Sequence, residues 1–396
     1  MEKILFIEKL VHGGFGLSRT DQGIVFVSGV VPGETVRATV QPHASGHAPA
    51  ACTGVIESSS SRRKPPCALA GVCGGCDWLH IEYSRQLSIK EEIFRECLAR
   101  IGKIGNVPDI AVTASPEFGY RRRIQVKIDR EKGIAGFFKK KSNEIVSVSC
   151  CPLLCDSLNH FLSGLPKHLS TFPKNTKQVK VVAGTEPDPQ KGSEGFSSVA
   201  TLPVIQGVTR ASTAVQVESL RFLISGSNFF QSNLFLCGPL GRYAAACVQG
   251  EWFCDLYGGT GFLSAFVAPR FSRGTLVDNK ENHVAEAKRN LSENGITTVS
   301  AVAQTVAAFV EGLAHGEKRP DCIIVDPPRT GMDEEVRRGM AKILPTVVFY
   351  VSCDPATQAR DAGFFVNRCG YRITKAALFD FYPQTHHLET VLVLQR

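Results

Sequence analysis

Hydrophobic positions in this chain follow three patterns. Up to residue 57 they come in short runs cut by glycine: 4–10 (ILFIEKL), then Gly13-Gly14-Phe15-Gly16, then 24–27 (IVFV), then Pro32-Gly33, then 36–40. Strands this short, with a turn every eight to twelve residues, predict a small β-barrel. Two polar stretches interrupt the next regions: QPHASGHAPA, a loop within the barrel, and SSSSRRKPP (58–66), a linker. Residues 82–100 carry helical spacing, with Leu87, Ile93, Phe94, Cys97 and Leu98 on one side and charges on the other. Residues 120–230 alternate like strands, broken by the polar loop GTEPDPQKGSEG. From about 240 the apolar strands WFCDLY, TLVDN, DCIIVDPP and TVVFYVSC alternate with helix-like stretches, the pattern of a parallel sheet covered by helices. The expected architecture is therefore α/β and multidomain: a barrel over 1–57, an α+β middle domain over 58–235, and a Rossmann-like domain over 236–396. No internal repeat is visible.

Composition narrows the class. A chain of 396 residues, 43% hydrophobic and 21% charged, can bury sizeable cores and is neither disordered, collagen-like nor a coiled coil. No apolar run approaches the roughly 18 residues that span a membrane. The start, MEKILFIEKL, carries charges where a secretory signal would be apolar. Fourteen cysteines without an export signal point to the reducing cytoplasm, where thiols are metal ligands, catalysts or core residues. The net charge is +8, and it is uneven: residues 1–150 hold 21 basic and 15 acidic residues. The excess forms clusters at Arg62, Arg63 and Lys64, at Arg121, Arg122, Arg123 and Lys127, and at Lys139, Lys140 and Lys141. Any one cluster is as readily a solvated face, but three in one half favour a phosphate-bearing partner such as nucleic acid.

Chemistry is concentrated in the last third. In Asp255-Leu-Tyr257-Gly258-Gly259-Thr-Gly261-Phe262-Leu-Ser264 a strand enters a glycine-rich turn that opens a helix, and Asp278 ends the next strand 23 residues later. Glycines let backbone approach a ligand, and an acid at that strand end can hold a ribose diol. Ser264 stands where a dinucleotide fingerprint has its third glycine, and Asp255 suits a cationic ligand such as S-adenosylmethionine; NAD and a purely structural turn are the alternatives. Asp326-Pro327-Pro328-Arg329 follows a later strand, with stiff prolines beside the same pocket. Arg329 replaces the aromatic residue typical of amine methylases. Cys353 ends the strand after that, set off from core cysteines by Asp354-Pro355. Pro383-Gln-Thr385-His386-His387-Leu-Glu389 precedes a final apolar strand, and its spacing argues against a metal site.

Taken together, these motifs resemble the RNA uracil-5 methyltransferases, in particular the branch that acts on 23S ribosomal RNA and carries an iron–sulfur cluster. The resemblance spans nearly the whole chain. Residues 7–16 and Gly33-Glu34-Thr-Val36 resemble the TRAM domain, an OB-like RNA-binding barrel. The family's C-x5-C-x2-C followed by a distant Cys-Pro appears as Cys67, Cys73, Cys76 and Cys151-Pro152. Its F-F-Q-x-N motif is Phe229-Phe230-Gln231-Ser-Asn233, its S-C-N-P motif is Ser352-Cys353-Asp354-Pro355, and P-x-T-x-H-x-E is Pro383, Thr385, His387 and Glu389.

The resemblance implies roles. Gln231, Tyr257, Asp278 and Asp326 would contact S-adenosylmethionine, Cys353 would be the nucleophile and Glu389 the base. Three positions depart from the family: Asp354 where Asn is common, Phe262 where relatives have a polar residue, and Asp278 where Glu is common. The reacting groups suit uracil independently of the name. A thiolate adding to C6 makes C5 nucleophilic, and a carboxylate must then remove the C5 proton. Asp354 beside the thiol would oppose ionisation unless it is paired or points away. The target base must leave its stack.

Spacing alone leaves the cysteine quartet open between tetrahedral zinc and a [4Fe–4S] cluster; the resemblance implies the cluster. Cys150 and Cys155 are rivals for the fourth position, with Cys151 favoured by Pro152. The chain is thus expected to be a cytoplasmic, monomeric enzyme acting on ribosomal RNA. A transfer-RNA uridine methylase is the alternative enzyme, and a non-catalytic RNA-binding scaffold the alternative class. Both Cys353 and Glu389 would be dispensable for binding alone, which favours the enzyme.

Overall fold

The structure, a computed structural model, describes residues 1–41, 47–185, 198–206 and 208–396. Residues 42–46 of the loop expected at 41–50, and 186–195 of the loop expected at 184–195, lie outside the described residues, whereas 47–50, expected as loop, belong to a strand that pairs with its neighbour. The first 57 residues form one sheet of β1 (Glu2–Phe6), β2 (Lys9–Leu10), β3 (Gly16–Thr20), β4 (Gly23–Ser28), β5 (Thr35–Val40) and β6 (His47–Glu57), in the order β1-β5-β6-β4-β3-β2. Leu5, Leu10, Leu17, Val25, Val27, Val36, Ala38 and Ala50 turn inward, whereas Ile4 and Phe6 stay exposed, as a period of two requires. β1 also approaches β3, so the sheet curls round this interior. Gly16 permits it: a Cβ there would lie 2.3 Å from the Val30 side chain and 2.9 Å from Ile7.

The helix expected over 82–100 is α1 (Tyr83–Arg100). Its buried face differs from the expected one. Gln86, Ile89, Lys90, Ile93, Phe94, Cys97 and Leu98 are buried, and Leu87 is only half-buried. Lys90 has no exposed side chain; its Nζ lies 2.6 Å from the equally buried Asp380 and donates to the Tyr382 carbonyl at 3.0 Å. Removing either charge would strand the other in the interior, at a cost of about 3–5 kcal/mol. β7 (Ile110–Thr113) follows.

A second sheet, in the order β10-β9-β8-β11-β12, comprises β8 (Arg123–Asp129), β9 (Ile134–Phe138), β10 (Ile145–Ser147), β11 (Gln178–Ala183) and β12 (Val199–Leu202). Its core joins Ile124, Val126 and Val181 to Leu158, Phe161 and Leu162 of α2 (Asp156–Gly164). That helix interrupts the strand pattern expected across 120–230. β13 (Ser212–Val217) and β14 (Leu220–Ser225) form an antiparallel ribbon, and α3 (Leu234–Cys247) comes next.

The rest is doubly wound. β15 (Gly250–Leu256), α4 (Phe262–Val267), β16 (Phe271–Asp278), α5 (Glu281–Glu293), β17 (Val299–Ala303), α6 (Val306–His315), β18 (Cys322–Val325), α7 (Glu334–Ile343), β19 (Val347–Ser352), α8 (Pro355–Cys369), β20 (Arg372–Phe379) and β21 (Thr390–Gln395) build a sheet with β7. The order is β17-β16-β15-β18-β19-β21-β20-β7, parallel except at β21, which runs antiparallel to both neighbours. Every residue of β18 and β19 is buried, which is why both read as unbroken apolar runs. Two elements cross the division expected at residue 236: β7 completes the large sheet, and α1 packs on α8. Among the described residues no helix is long and apolar enough to cross a membrane.

Candidate active site

Strand register assembles the first half of the site. β15 pairs Leu256 with Val277 of β16 and with Val325 of β18, so Tyr257, Asp278 and Asp326 emerge side by side at three carboxyl ends. Ligands of open parallel sheets bind at that edge. The chain turns there through Tyr257, Gly259 and Gly261, all at positive φ, into α4. A Cβ on Gly259 would meet nothing nearer than its neighbour's carbonyl at 4.0 Å, so the turn presents open backbone. Asp278 Oδ2 accepts from the Gly259 N–H at 3.1 Å, and Oδ1 accepts from Lys280 N–H at 3.0 Å. His283 Nδ1 stands 3.2 Å from Oδ1. Burial pushes this carboxyl up, but His283 and the backbone donors outweigh it and hold it below the usual range. The shorter acid is therefore tied directly to the glycine turn.

Two buried oxygens await donors. Gln231 is buried with Oε1 unpartnered, and Asp255 accepts from Ser264 Oγ at 2.6 Å while its Oδ1 has no partner. Gln231 is placed by the preceding Phe230, whose ring packs on Phe222 and Phe262 at 5.4 and 5.9 Å. Phe262 is apolar because it belongs to that aromatic cluster. Burial pushes Asp255 up to about 7, and burial with the Asp255 charge does the same to Asp326. A set of carboxyls this crowded favours a cationic ligand.

The second half comes from the antiparallel pair β19 and β21. Their last rung joins Ser352 to Thr390, so the next residues, Cys353 and Glu389, face each other beyond the ladder. Thr390 Oγ1 donates to the Ser352 carbonyl at 3.1 Å, and Gln358 Nε2 donates to the Thr390 carbonyl at 3.3 Å, which clamps the junction. Burial pushes the Cys353 thiol up to about 12, with Glu389 and Asp326 adding to the rise and Arg329 opposing it. Glu389 is buried and lifted well above the carboxylate range by burial and by Asp326.

Asp354 adds to the rise of the thiol, as its position suggested, but it is the smallest of the causes and its oxygens are engaged elsewhere. It caps α8, with Oδ1 accepting from Ala356 and Thr357 N–H at 3.0 and 2.9 Å. Oδ2 lies 3.3 Å from His12 Nε2, which reaches over from the loop between β2 and β3. Burial raises this carboxyl, but His12 and the backbone donors bring it down to about 2.

A basic cleft of about 430 Å³ borders this pair. Arg121, Arg123, Lys180 and Arg329 line it with Tyr382, His387 and Phe229, whose ring is 53% exposed. Arg329 donates to His387 Nδ1 at 3.4 Å; burial and the neighbouring His386 hold His387 neutral, with its pKa lowered to about 3. Charge for phosphates beside an exposed aromatic is the composition of a single-stranded nucleic-acid path.

Cys67, Cys73, Cys76 and Cys151 surround a separate cavity of about 370 Å³. Burial and the neighbouring thiols raise Cys73, Cys76 and Cys151 above the ordinary thiol range. Cys150 also reaches this cavity but is exposed, and Cys155 is buried in the core behind α2. Among the described residues no three ligand side chains are arranged about one point as a single ion requires.

Sequence reasoning named the reacting and donor-binding groups but missed Lys180, Gln358 and the partners that hold the site. His12, Gln86, Lys90 and Gln384 are scattered over the chain and meet only in three dimensions. Arg329 was weighed for what it replaced rather than for the charge it brings to Cys353 and Glu389.

A family model described as tRNA (uracil-5-)-methyltransferase matches residues 205–396. The 23S rRNA (uracil(1939)-C(5))-methyltransferase RlmD of Marinomonas posidonica is 30% identical over 98% of this chain and 94% of its own. An uncharacterised RNA methyltransferase of Thermosynechococcus vestitus is 29% identical over 98% and 97%. The crystal structure of Pyrococcus abyssi tRNA (uracil-54, C5)-methyltransferase in complex with S-adenosyl-L-homocysteine shares the fold, with a TM-score of 0.74 over the whole of both chains at 23% identity. With 30% identity sustained over nearly its full length, the chain belongs to the family of S-adenosylmethionine-dependent RNA uracil-5 methyltransferases.

Proposed function

We propose that this enzyme methylates C5 of a uridine in 23S ribosomal RNA, with Cys353 as nucleophile and Glu389 as base. The observation that carries the assignment is the facing of Cys353 and Glu389 beyond the Ser352–Thr390 rung. The Cys353 thiolate attacks C6, forming the S–C6 bond and moving the C5–C6 π electrons into an enolate. S-adenosylmethionine, when bound, supplies the methyl group that C5 takes. The Glu389 carboxylate then removes the proton left on C5, the C5–C6 double bond re-forms, and the S–C6 bond breaks to release Cys353. Gln231, Tyr257, Asp278 and Asp326 hold the donor: Asp278 faces its ribose, and the unpartnered Oε1 of Gln231 takes a donor hydrogen. The cleft of Arg121, Arg123, Lys180 and Arg329 guides the RNA backbone, and Phe229 offers a stacking face.

What supports a [4Fe–4S] cluster is that all four cysteines line one cavity of about 370 Å³ and are half-buried there. Cys151 is the fourth ligand in this reading; it interacts electrostatically with the other thiols, as Cys155 does not. The cluster would cross-link the 67–76 loop to the turn before α2, and no step above draws electrons from it. The reducing cytoplasm suits both the cluster and fourteen free thiols.

The test is mass mapping of modified uridines after incubation of the enzyme and donor with 23S transcripts. Methylated uridine in 23S RNA, and none in transfer RNA, is expected. Methylation of transfer RNA alone would replace the substrate assignment. On the same transcript, Glu389→Gln is expected to stall as a covalent complex already carrying the methyl group; its absence would remove Glu389 as base.

A further inference from the structure

We infer that Asp77 and Gln384 are positioning residues that fasten the loop carrying Glu389 to the loop carrying the cysteines. The inference rests on the reading of Glu389 as base, and concerns what holds that base in place. Gln384 lies in the loop 380–389, is fully buried, and has φ 69, a conformation that side-chain-bearing residues rarely adopt. Six hydrogen bonds hold it there. Its carbonyl accepts from Asp77 and Trp78 N–H at 3.1 and 3.0 Å. Its N–H donates to Gln86 Oε1 at 2.9 Å. Its Oε1 accepts from Gln86 Nε2 and an Arg63 amine, both at 2.9 Å, and its Nε2 donates to Glu117 at 3.0 Å.

The second fastening is one turn further along. His386 Nδ1 donates to Asp77 Oδ2 at 2.7 Å, and the His386 ring stacks near His387 with centroids 4.3 Å apart. Asp77 directly follows Cys76. Its other oxygen lies 3.5 Å from Lys140, and the cysteine loop is itself bonded to the second sheet through Gly74 N–H to the Phe138 carbonyl and Lys140 N–H to the Val72 carbonyl. Both contacts therefore run from the thiol-bearing segment to the segment ending in His387 and Glu389. A bare loop of ten residues would sample many positions, and Glu389 must meet the C5 proton within hydrogen-bond reach. The bracket removes that freedom. It also gives the cysteine site a route to catalysis that needs no redox step: loosening the 67–76 loop loosens the base.

The experiment measures amide hydrogen exchange and single-turnover kinetics in the full-length enzyme. In Asp77→Ala, exchange over 383–388 should quicken about tenfold or more, and release of the methylated product should slow about tenfold. Donor affinity should stay within about twofold, because Asp278 and the glycine turn lie at other strand ends. Asp77→Asn keeps an acceptor for His386 and should restore both readings. Cys76→Ser should quicken exchange over 383–388 while leaving 255–261 unchanged. His386→Ala cuts the same bond from the other side and serves if Asp77→Ala does not fold. Unchanged exchange over 383–388 in Asp77→Ala, or a rise shared equally by 255–261, would overturn the inference. Failure of Glu389→Gln to accumulate a methylated complex would instead remove the base assignment, and leaves the exchange readings as a separate result.

Discussion

A cluster of half-buried cysteines and one half-buried cysteine at the sheet edge meet opposite surroundings in this protein. Around the 370 Å³ cavity, Cys73, Cys76 and Cys151 are raised by burial and by the neighbouring thiols, and Arg121 is the one charge that opposes the rise, helped by backbone hydrogen bonds at Cys73 and Cys151. At the sheet edge, Cys353 is raised by burial and then by the carboxyls of Glu389 and Asp326, with Arg329 opposing. The remedy differs accordingly. Clustered thiols ionise together when a resident cation holds them, whereas a single thiol among carboxyls ionises when a passing cation arrives. The first arrangement suits a permanent structural centre, the second a nucleophile kept idle until the donor is bound. Burial by itself would not separate the two, because it is the first cause of the rise in both.

The comparison breaks most sharply at the nucleophile. Cys353→Ala should lower turnover by about a thousandfold or more while donor affinity, measured by calorimetry, stays within about twofold. With 5-fluorouridine RNA the wild type should form a stable adduct mapping to Cys353; an adduct on a cysteine of the other group would reverse the assignment.

The next largest effect belongs to the quartet. Protein purified without oxygen should hold about four irons per chain, and Cys76→Ser should lose them together with the brown absorbance. A colourless protein containing one zinc would show that those thiols hold a single ion.

The smallest effects test the electrostatics. With the thiol held near 12, alkylation of Cys353 in ligand-free enzyme should keep rising with pH past 9, since thiolate is the reacting form. A cationic donor analogue should move that profile to lower pH, and neutral S-adenosylhomocysteine should move it less. Asp354→Asn should move the profile only slightly to lower pH, because Asp354 is the smallest of the charges that raise the thiol and its oxygens are engaged by Ala356, Thr357 and His12. A clear acceleration at neutral pH in that variant would mean that Asp354 does face the sulfur.

Much of the site was legible because its groups sit at places where local pattern is strong. Apolar runs mark buried parallel strands, and Asp278, Asp326 and Cys353 stand at or just beyond the ends of such runs. The glycine turn declares itself because glycine adopts the positive φ of Gly259 and Gly261 at little steric cost. The helix α1 was also legible, with Ile93, Phe94, Cys97 and Leu98 of its buried face, but the burial of Gln86 and Lys90 was not. Lys90 reads as a surface charge by every local rule, and only Asp380, 290 residues away, makes its burial tolerable.

Local sequence, then, determined which strands form, where they end, and which thiols and carboxyls those ends can present. Tertiary structure decided what each of those groups faces. Cys353 and Glu389 are partners because β21 returns antiparallel beside β19 in one register, and a shift by one residue would turn Glu389 to the other face. Asp354 weighs least of the carboxyls on Cys353, and His12 and the helix it caps occupy its oxygens. The 380–389 loop is held because Gln86, Asp77 and Arg63, from far upstream, converge on Gln384. Hydrophobic periodicity acts over a few residues and is written in the chain. Hydrogen bonds and charges act over a few ångströms in space, and distances in space exist only once the chain has folded.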